Sequence, residues 1–388
     1  MFCLAEISTA PFVSIPDADR LELLNRQLAY ARERSPYYRD ALAAVPLPLD
    51  SLKELPCLPF MDAETLRREG SRLVCVPGSQ VERIVSLQTS GSTGDAKRLY
   101  FTRGDLDHTV TFFAQGMSWM CAAGDKVAIL MPCQAPDGIG DLLSKGLSRI
   151  GVTPLPIGIP ADFSDLTAVL TQEQPQVIVG FPWQLRLLAL LCPALRPRAV
   201  LLSGDYAPAA LPPLLEQLWQ CRVLLHFGMT ETGYGCAVEH PAGGGMYLRR
   251  DALLAEVVDP RSGAPLPPGA VGELVLTTLQ REALPLLRYR TGDLASLTAE
   301  GNLARVYGRA AAPADTYRLQ EALCPLPWLW DYCVEPGGVL RAELSPDAPA
   351  DAQARLAELT RLSVACAVLP RTEARLFAPG KKSILLFP

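Results

Sequence analysis

The chain has 388 residues, 49% of them hydrophobic and 20% charged, which is enough for one large domain with a smaller companion. A net charge of -5 offers no basic surface, so we expect no nucleic-acid partner. Eleven cysteines without a Cys-x-x-Cys spacing, and no sustained apolar segment, favour the reducing cytoplasm and no membrane anchor.

The first predicted element is an amphipathic helix near the start of the chain. Asp17 can cap it, and Leu21, Leu24 and Leu28 recur at helical spacing. The helix should end before Ser35-Pro36, because a proline disfavours helical backbone at the preceding residue.

Short apolar runs then alternate with amphipathic stretches between residues 126 and 227. This alternation is typical of strand-helix-strand units, so we expect a mostly parallel sheet covered by helices. Ligands bind such sheets at the carboxyl ends of the strands. The predicted strands are 126–131, 152–157, 176–181, 198–203 and 222–227, and the predicted helices are 141–150, 162–174, 182–192 and 209–220.

Beyond residue 243 the pattern changes to strands and turns, which predicts a β-rich subdomain. From about Arg309 the chain has proline-rich connections and one predicted helix over 351–361. The predicted fold is therefore α/β, with a large N-terminal domain (1–308) of helix-covered, mostly parallel sheets and a β-rich subdomain. A small α+β C-terminal lid domain (309–388) follows.

A loop rich in glycine and hydroxyl groups precedes Lys97. Its backbone N–H groups and hydroxyls can surround a phosphate, and Lys97 adds positive charge. The spacing does not match a P-loop, and a Ser/Gly-rich turn can also be a simple linker. The loop residues are Thr89, Ser90, Gly91, Ser92, Thr93 and Gly94.

Two further segments carry chemistry, and the first of them follows the predicted strand 222–227. In the first, Phe227 can stack on a purine, Gly228 permits close approach of the backbone, and Glu231 offers an oxygen ligand for Mg²⁺. In the second, Asp293 follows a glycine turn and can accept hydrogen bonds from both ribose hydroxyls. Each segment alone could instead be an ordinary turn with a satisfied carboxylate.

The three segments together resemble the adenylate-forming superfamily of acyl-CoA synthetases, luciferases and peptide-synthetase adenylation domains. The likeness spans residues 21–309. Tyr30-Ala31, residues 35–39 and residues 284–290 are similar to the phenylacetate-CoA ligase-like branch, here in an abbreviated form.

The resemblance implies a role for each matching residue. Thr89 to Gly94 and Lys97 would hold the triphosphate, and Phe227 and Gly228 would flank adenine. Thr230 and Glu231 would lie at phosphate and Mg²⁺, with Asp293 on ribose and Arg309 among the nucleotide-binding residues. Lys381 is the candidate adenylation lysine. Lys382 is its rival, and a solvated C-terminal tail is the alternative to both.

The acyl pocket is implied at a loop of small residues. Gly204 and Asp205 occupy the corresponding place, and His226 is close in sequence to the Phe227 turn. An N-cap role is the alternative for Asp205. The branch also carries a structural zinc site, but Cys236, Glu239 and His240 lack a clear fourth ligand, which favours a local hydrogen-bond cluster.

The implied activity is ATP-dependent formation of an acyl-adenylate, followed by transfer of the acyl group to coenzyme A. ATP, Mg²⁺, coenzyme A and a small carboxylic acid are the implied cofactors and partners, and a homodimer is left open. Gly308-Arg309 runs into Ala310–Pro313 where the family has a charged hinge residue. An acyl acceptor other than coenzyme A, a carrier-protein thiol or an amine, is therefore the first alternative. A non-catalytic nucleotide-binding protein is the second.

Overall fold

The structure is a computed structural model of the chain that describes residues 15–87, 96–160, 162–377 and 380–382. It divides into two compact units, each built from two segments of the chain. The first unit contains Met1–Gly116 and Phe227–Ala310, and the second contains Met117–His226 and Ala311–Pro388. None of the helices in the described ranges combines the length and the apolar composition needed to cross a membrane.

Up to Met117, the described residues form four α-helices, short 3-10 turns and a β-hairpin. The predicted N-terminal helix is present and buries Leu24 and Leu28. The prediction that Asp17 caps it was wrong, because Pro16 holds the N-cap position and Asp17 is the first helical residue. The elements are α1 (Asp17–Arg34), α2 (Pro36–Ala41), α3 (Ala63–Glu69), β1 (Arg83–Leu87), β2 (Lys97–Phe101) and α4 (Arg103–Met117).

The next segment is the predicted series of alternating strands and helices. Its strands are parallel and lie in the order β4-β3-β5-β6-β7. Continuous apolar strands suit a sheet with both faces covered, and every residue of β5 and β6 is buried. The elements are β3 (Lys126–Leu130), α5 (Ile139–Arg149), β4 (Thr153–Pro156), α6 (Phe163–Glu173), β5 (Val177–Gly180), α7 (Pro182–Leu191), β6 (Ala199–Leu202), α8 (Leu211–Trp219) and β7 (Arg222–Phe227).

The predicted β-rich segment follows. Its strands lie in the order β10-β11-β12-β13-β9-β8, and neighbouring strands are antiparallel. All of them belong to the first unit. The strands are β8 (Ala237–Glu239), β9 (Met246–Leu248), β10 (Leu253–Val258), β11 (Gly272–Thr278), β12 (Tyr289–Leu297) and β13 (Leu303–Arg309).

The C-terminal segment is α+β, as predicted, and has a three-stranded sheet. β14 is antiparallel to β15, and β15 is parallel to β16. Within the second unit the segment shares one hydrophobic core with α7 and α8. The elements are α9 (Ala314–Leu323), β14 (Leu329–Glu335), β15 (Val339–Leu344), α10 (Ala352–Thr360) and β16 (Ser363–Val368).

The fold class is thus the predicted mixed α/β class. The predicted domain boundary at residue 308 lies close to the last point at which the chain passes from one unit to the other, between Ala310 and Ala311. Residues 311–388, however, belong to the same compact unit as residues 117–226. An independent lid domain over 309–388 stays a prediction.

Candidate active site

In the first unit, the phosphate-loop candidates Thr89, Ser90, Gly91, Ser92, Thr93 and Gly94 lie outside the described residues. The strands on either side of them are described. Leu87 and Lys97 face each other in the β1-β2 hairpin, so Lys97 is at the end of β2 that follows the loop.

Lys97 and Glu231 form a buried ion pair between Lys97 Nζ and Glu231 Oε1. Their exposed fractions are 7% and 6%. The Tyr289 hydroxyl donates to the same carboxylate oxygen at 3.3 Å. Burial raises the pKa of Tyr289, and the Glu231 charge raises it further, so the phenol stays protonated and acts as a donor. The structure therefore brings side chains from all three sequence segments together.

The turn that carries Glu231 is held by close packing. Thr230–Thr232 form a single 3-10 turn shortly after β7. Gly233 ends it with a φ of +82°, and a Cβ there would lie 2.9 Å from Thr109 Oγ1 and 3.0 Å from Arg281 Nη1. Phe227 and Gly228, which precede the turn, are half-buried. A larger residue at position 233 would displace the turn and the Glu231 carboxylate with it.

Asp293 lies opposite Arg309 across β12 and β13. Arg309 Nε is 3.0 Å from Asp293 Oδ1, and Arg309 Nη1 donates to the Thr291 carbonyl at 2.9 Å. The Asp293 side chain is almost fully buried, whereas the Arg309 side chain is about half exposed. The pair places an acceptor carboxylate beside a guanidinium, a combination suited to ribose hydroxyls and a phosphate.

In the second unit, Ser203 and His226 form a hydrogen-bonded pair at the ends of β6 and β7. Ser203 Oγ is 2.8 Å from His226 Nδ1. Burial lowers the pKa of His226 to about 4, so the imidazole is neutral at pH 7. Gly204 adjoins the pair with a φ of +85°, and a Cβ on it would lie 2.6 Å from Phe181 Cε1.

Asp205 connects this loop to the end of the described chain. Its Oδ1 accepts a hydrogen bond from the Tyr206 amide at 2.8 Å, and its Oδ2 accepts one from the Lys382 amide. The alternative interpretation of Asp205 as an N-cap was wrong, because α8 starts at Leu211 with Ala210 at its N-cap.

The two candidate lysines differ in their surroundings. Lys382 is 1% exposed, and its Nζ donates to Asp331 and to the Tyr332 carbonyl. The ammonium also lies over the Tyr332 ring, 4.2 Å from the centroid. Lys381 is exposed. In this structure Lys382 is held within the second unit, and Lys381 has the accessible ammonium group.

The candidate metal residues make ordinary local contacts instead. Cys236 Sγ is 2.8 Å from Thr232 Oγ1, and His240 Nδ1 accepts a hydrogen bond from the Ala242 amide at 3.1 Å. Over the described ranges, no group of three His, Cys, Asp or Glu side chains is arranged to hold a metal ion.

Sequence reasoning assigned no role to Tyr289, Ser203 or Asp331. In the structure each of them contacts a candidate site residue, respectively Glu231, His226 and Lys382. Tyr289 belongs to a motif that was recognised, but only the fold shows that its hydroxyl reaches Glu231. A signal for Asp331 was present. It is a single acid within the apolar run Leu329-Trp330-Asp331-Tyr332, and a charged residue in a buried strand needs a partner.

Comparison with known proteins supports the resemblance. The model of a family described as AMP-binding enzyme matches residues 68–280. The phenylacetate-coenzyme A ligase of Thermus thermophilus is 33% identical over 303 residues, covering 72% of this chain and 65% of that protein. The phenylacetate-coenzyme A ligase of Pseudomonas putida is 29% identical over 293 residues, covering 72% of this chain and 66% of that protein.

Solved structures agree on the fold. A crystal structure of 2-hydroxyisobutyryl-CoA ligase in the postadenylation state has a TM-score of 0.77 at 19% identity, covering 98% of this chain and 92% of that chain. The sequence match spans about two thirds of the length of the two phenylacetate-coenzyme A ligases. The family match covers more than half of this chain. The chain therefore belongs to the AMP-binding family of adenylate-forming enzymes, within its phenylacetate-CoA ligase-like branch.

Proposed function

We propose that the chain is an AMP-forming acid-thiol ligase, which activates a carboxylic acid as its acyl-adenylate and transfers the acyl group to coenzyme A. The observation that carries the proposal is the buried Lys97–Glu231 pair with the Tyr289 hydroxyl on the same carboxylate. Burying charged groups is costly and need not add stability, so a buried pair at this position is a candidate for a functional role. Family membership and ligase relatives support the same reaction.

In the first step, a carboxylate oxygen of the acid would bond to the α-phosphorus of ATP. The bond from that phosphorus to the bridging oxygen would break, and pyrophosphate would leave with the electron pair. Negative charge then grows on phosphate oxygens, and a buried Lys97 ammonium would stabilise it more strongly than a solvated one. Thr230 and the hydroxyls of residues 89–94 would add hydrogen-bond donors.

Mg²⁺ fits the Glu231 carboxylate. Within the described ranges, both hydrogen bonds to this carboxylate fall on Oε1, and carboxylate oxygens are preferred ligands of Mg²⁺. Glu231 would hold the ion, which when bound would neutralise charge on the phosphate oxygens. Lys97 and Tyr289 would keep the carboxylate oriented.

The nucleoside would be bound by the first unit. Phe227 and Gly228 are half-buried beside the Glu231 turn, so part of their surface is accessible for a contact with adenine. Asp293 would accept hydrogen bonds from the ribose hydroxyls, while Arg309 pairs with that carboxylate and can contact a phosphate.

The acid would contact the loop at Gly204 and Asp205 together with His226. Because the imidazole is neutral and bonded to Ser203, it offers a polar group without adding charge. Lys381 would supply the positive charge specific to adenylation, because it is exposed whereas Lys382 is paired with Asp331.

In the second step, the sulfur of coenzyme A would bond to the acyl carbon, the thiol would lose its proton to solvent, and AMP would leave. No protein thiol is needed. Burial raises the pKa of Cys75, Cys121 and Cys236 to about 12, so they are poor nucleophiles at neutral pH. We propose that the enzyme acts in the cytoplasm on small molecules, without nucleic acid or membrane.

The test is ATP-pyrophosphate exchange with Mg²⁺ against a panel of aryl and alkyl carboxylates, with Lys97→Met as the control. We expect one acid class to support exchange in the wild type and none in the variant. Addition of coenzyme A should then produce the thioester. Exchange without thioester would assign the transfer to a carrier-protein thiol or an amine. Folded protein that neither exchanges pyrophosphate nor gains thermal stability from Mg²⁺-ATP would contradict the proposal.

A further inference from the structure

The turn over residues 291–293 interrupts the regular pairing of β11 with β12. Glu273 faces Leu294, but Val275 faces Arg290, so the register advances by two residues on β11 and by four on β12. β12 therefore bulges at this turn. A bulge takes backbone groups out of the ladder and redirects side chains, and bulges are frequent next to active sites. The backbone of this turn must find its partners elsewhere.

The Glu273 side chain supplies one of these partners. It is 6% exposed, and its Oε1 accepts a hydrogen bond from the Gly292 amide at 3.2 Å. Its Oε2 accepts a hydrogen bond from Arg290 Nε at 2.8 Å and another from Arg290 Nη2. One carboxylate oxygen thus pairs with the arginine, while the other holds the backbone of the turn.

A second Arg–Glu pair in the same sheet shows a different geometry. Glu256 lies on β10, and its two oxygens accept hydrogen bonds from Arg288 Nε and Nη2, one each, at 3.0 Å. This two-pronged contact is the favoured form of an arginine-carboxylate pair. Glu273 also has an arginine partner but directs one oxygen to Gly292 instead. An ion pair alone does not require that arrangement, which points to a role for Glu273 in shaping the turn.

The backbone of Asp293 is held by a second buried side chain. The Asp293 amide donates to Thr291 Oγ1 at 3.0 Å, and this hydroxyl donates to the Leu274 carbonyl at 2.8 Å. Thr291 is 4% exposed. Two successive amides of the turn, those of Gly292 and Asp293, are therefore fixed by side chains from inside the unit. The direction of the Asp293 carboxylate then does not depend on the half-exposed Arg309 alone.

We propose that Glu273 and Thr291 are positioning residues for nucleotide binding, which fix this turn so that the Asp293 carboxylate can accept hydrogen bonds from both ribose hydroxyls. The inference rests on the proposed role of Asp293 in the ribose site. Neither positioning residue needs to touch the nucleotide. Hydrogen bonds weaken steeply when their angle is poor, so a carboxylate on a displaced turn would lose the hydroxyls first.

The test compares the dissociation constants of Mg²⁺-ATP and Mg²⁺-2′,3′-dideoxy-ATP by titration calorimetry. The wild type should bind ATP at least about 10-fold more tightly, because the analogue lacks both hydroxyls. In Glu273→Gln the single amide oxygen cannot serve both Gly292 and Arg290, so this ratio should fall below about 3-fold. Thr291→Val keeps the shape of the side chain but removes the acceptor, and it should lower the ratio in the same way. If Glu273→Gln does not fold, Thr291→Val carries the test.

Glu256→Gln is the matched control. It also breaks an Arg–Glu pair of this sheet, and the side chains of Glu256 and Glu273 are 13% and 8% exposed. Arg288, its partner, makes its other side-chain hydrogen bonds to the Pro56 and Leu58 carbonyls. The control should therefore keep the wild-type ratio. General damage to the fold would weaken binding of both nucleotides and leave their ratio unchanged.

The possible outcomes separate this inference from the function on which it rests. A folded Glu273→Gln or Thr291→Val protein with the wild-type ratio would overturn the inference, and so would an equal loss in Glu256→Gln. A wild type that binds ATP and the analogue equally well would overturn the role of Asp293 at ribose, and the inference with it. A wild type that binds neither nucleotide would contradict the proposed function itself.

Discussion

At the scale of single residues, the proposed catalytic role of the Lys97–Glu231 pair would account for a contact that is costly to bury. The two charges are almost fully buried, and the Tyr289 hydroxyl is a further described partner of the carboxylate. Replacing such a pair by apolar residues often leaves a protein equally stable, so stability alone does not explain it.

We expect Glu231→Gln to slow pyrophosphate exchange by about 100-fold or more, with a much smaller effect on ATP affinity. The amide keeps the shape of the side chain but removes the charge that would hold Mg²⁺. It also leaves Lys97 buried without a counter-ion, at a cost of about 3 kcal/mol in the free energy of unfolding. Exchange kinetics, ATP titration calorimetry and urea unfolding separate these effects.

The matched control is the double variant Lys97→Met with Glu231→Gln. Removing both partners should restore most of the lost stability, because no uncompensated charge stays buried. It should restore none of the exchange activity, because both proposed catalytic groups are missing. A Glu231→Gln variant that loses exchange and ATP binding to the same extent would mean that Glu231 maintains structure.

His226 predicts a pH dependence of folding. Its folded-state pKa of about 4 lies below the value of 6.5 in the unfolded chain. Between these values the unfolded state binds the proton and the folded state does not, so stability falls as pH decreases from 6.5 towards 4. This side chain should contribute a loss of about 2 kcal/mol between pH 7.5 and pH 5.

The measurement is urea unfolding at both pH values for the wild type and for His226→Gln, which can still bond to Ser203. The variant should lose less stability between pH 7.5 and pH 5 than the wild type. His240→Gln serves as the matched histidine control and should follow the wild type. Equal losses in all three proteins would rule out His226 as the source.

At the scale of secondary-structure elements, the apolar pattern was a good guide in the parallel sheet. The predicted strand 222–227 has the same bounds as β7, and the other predicted strands of this sheet differ by one or two residues. Continuous burial explains this agreement, since each strand must be apolar along its whole length. The N-cap of α1 was predicted at Asp17 because aspartate is a common capping residue. In the structure Asp17 is already helical, and Pro16 is at the N-cap.

The sheet β14-β15-β16 could not be predicted in detail. β14 contains the acid Asp331, whose partner Lys382 lies 51 residues further along the chain. A pattern within one strand cannot identify so distant a partner, and the predicted helix over 351–361 was the stronger local signal. The structure places that helix at Ala352–Thr360.

Arg186 anchors this C-terminal segment to α7. The fully buried guanidinium donates to the carbonyls of Cys324 and Leu329 at 2.8 Å, and to Leu326 at 2.5 Å. We expect Arg186→Met to lower the free energy of unfolding by about 3 kcal/mol, because several buried carbonyls lose their donor. Amide hydrogen exchange should increase over residues 324–330.

The control for this prediction is Arg318→Met, in the same unit. The Arg318 side chain is 44% exposed and pairs with the exposed Asp315, so its removal should change stability by less than about 1 kcal/mol. If Arg186→Met changed stability and exchange no more than this control, the carbonyl contacts would not hold the segment in place.

At the scale of the whole molecule, the two units were harder to predict than their elements. Each is built from two separate segments, so the chain passes three times from one unit to the other. The first passage falls within α4, between Gly116 and Met117, and the second within β7, between His226 and Phe227. Continuous helices and strands leave no turn or linker signal at such points. Only the third passage, between Ala310 and Ala311, coincides with a change in sequence pattern, the start of the proline-rich connections near Arg309.

The proposed two-step reaction assigns one of the two C-terminal lysines to adenylation, and variants of both can identify it. We expect Lys381→Ala to leave stability within about 0.5 kcal/mol of the wild type, because the side chain is exposed. It should reduce pyrophosphate exchange by about 100-fold or more, while supplied acyl-AMP and coenzyme A are still converted to thioester. A charge used only in the first transition state affects only that step.

Lys382→Met is the matched comparison, and the structure predicts the opposite result for it. The substitution leaves Asp331 buried without its counter-ion and should lower the free energy of unfolding by about 3 kcal/mol. The folded fraction of the variant should retain pyrophosphate exchange. Lost exchange in a stable Lys382→Met protein would move the catalytic role to Lys382. Unchanged exchange in both variants would leave the C-terminal lysines without a part in adenylation. A wild-type protein that does not convert acyl-AMP and coenzyme A would require a different acyl acceptor.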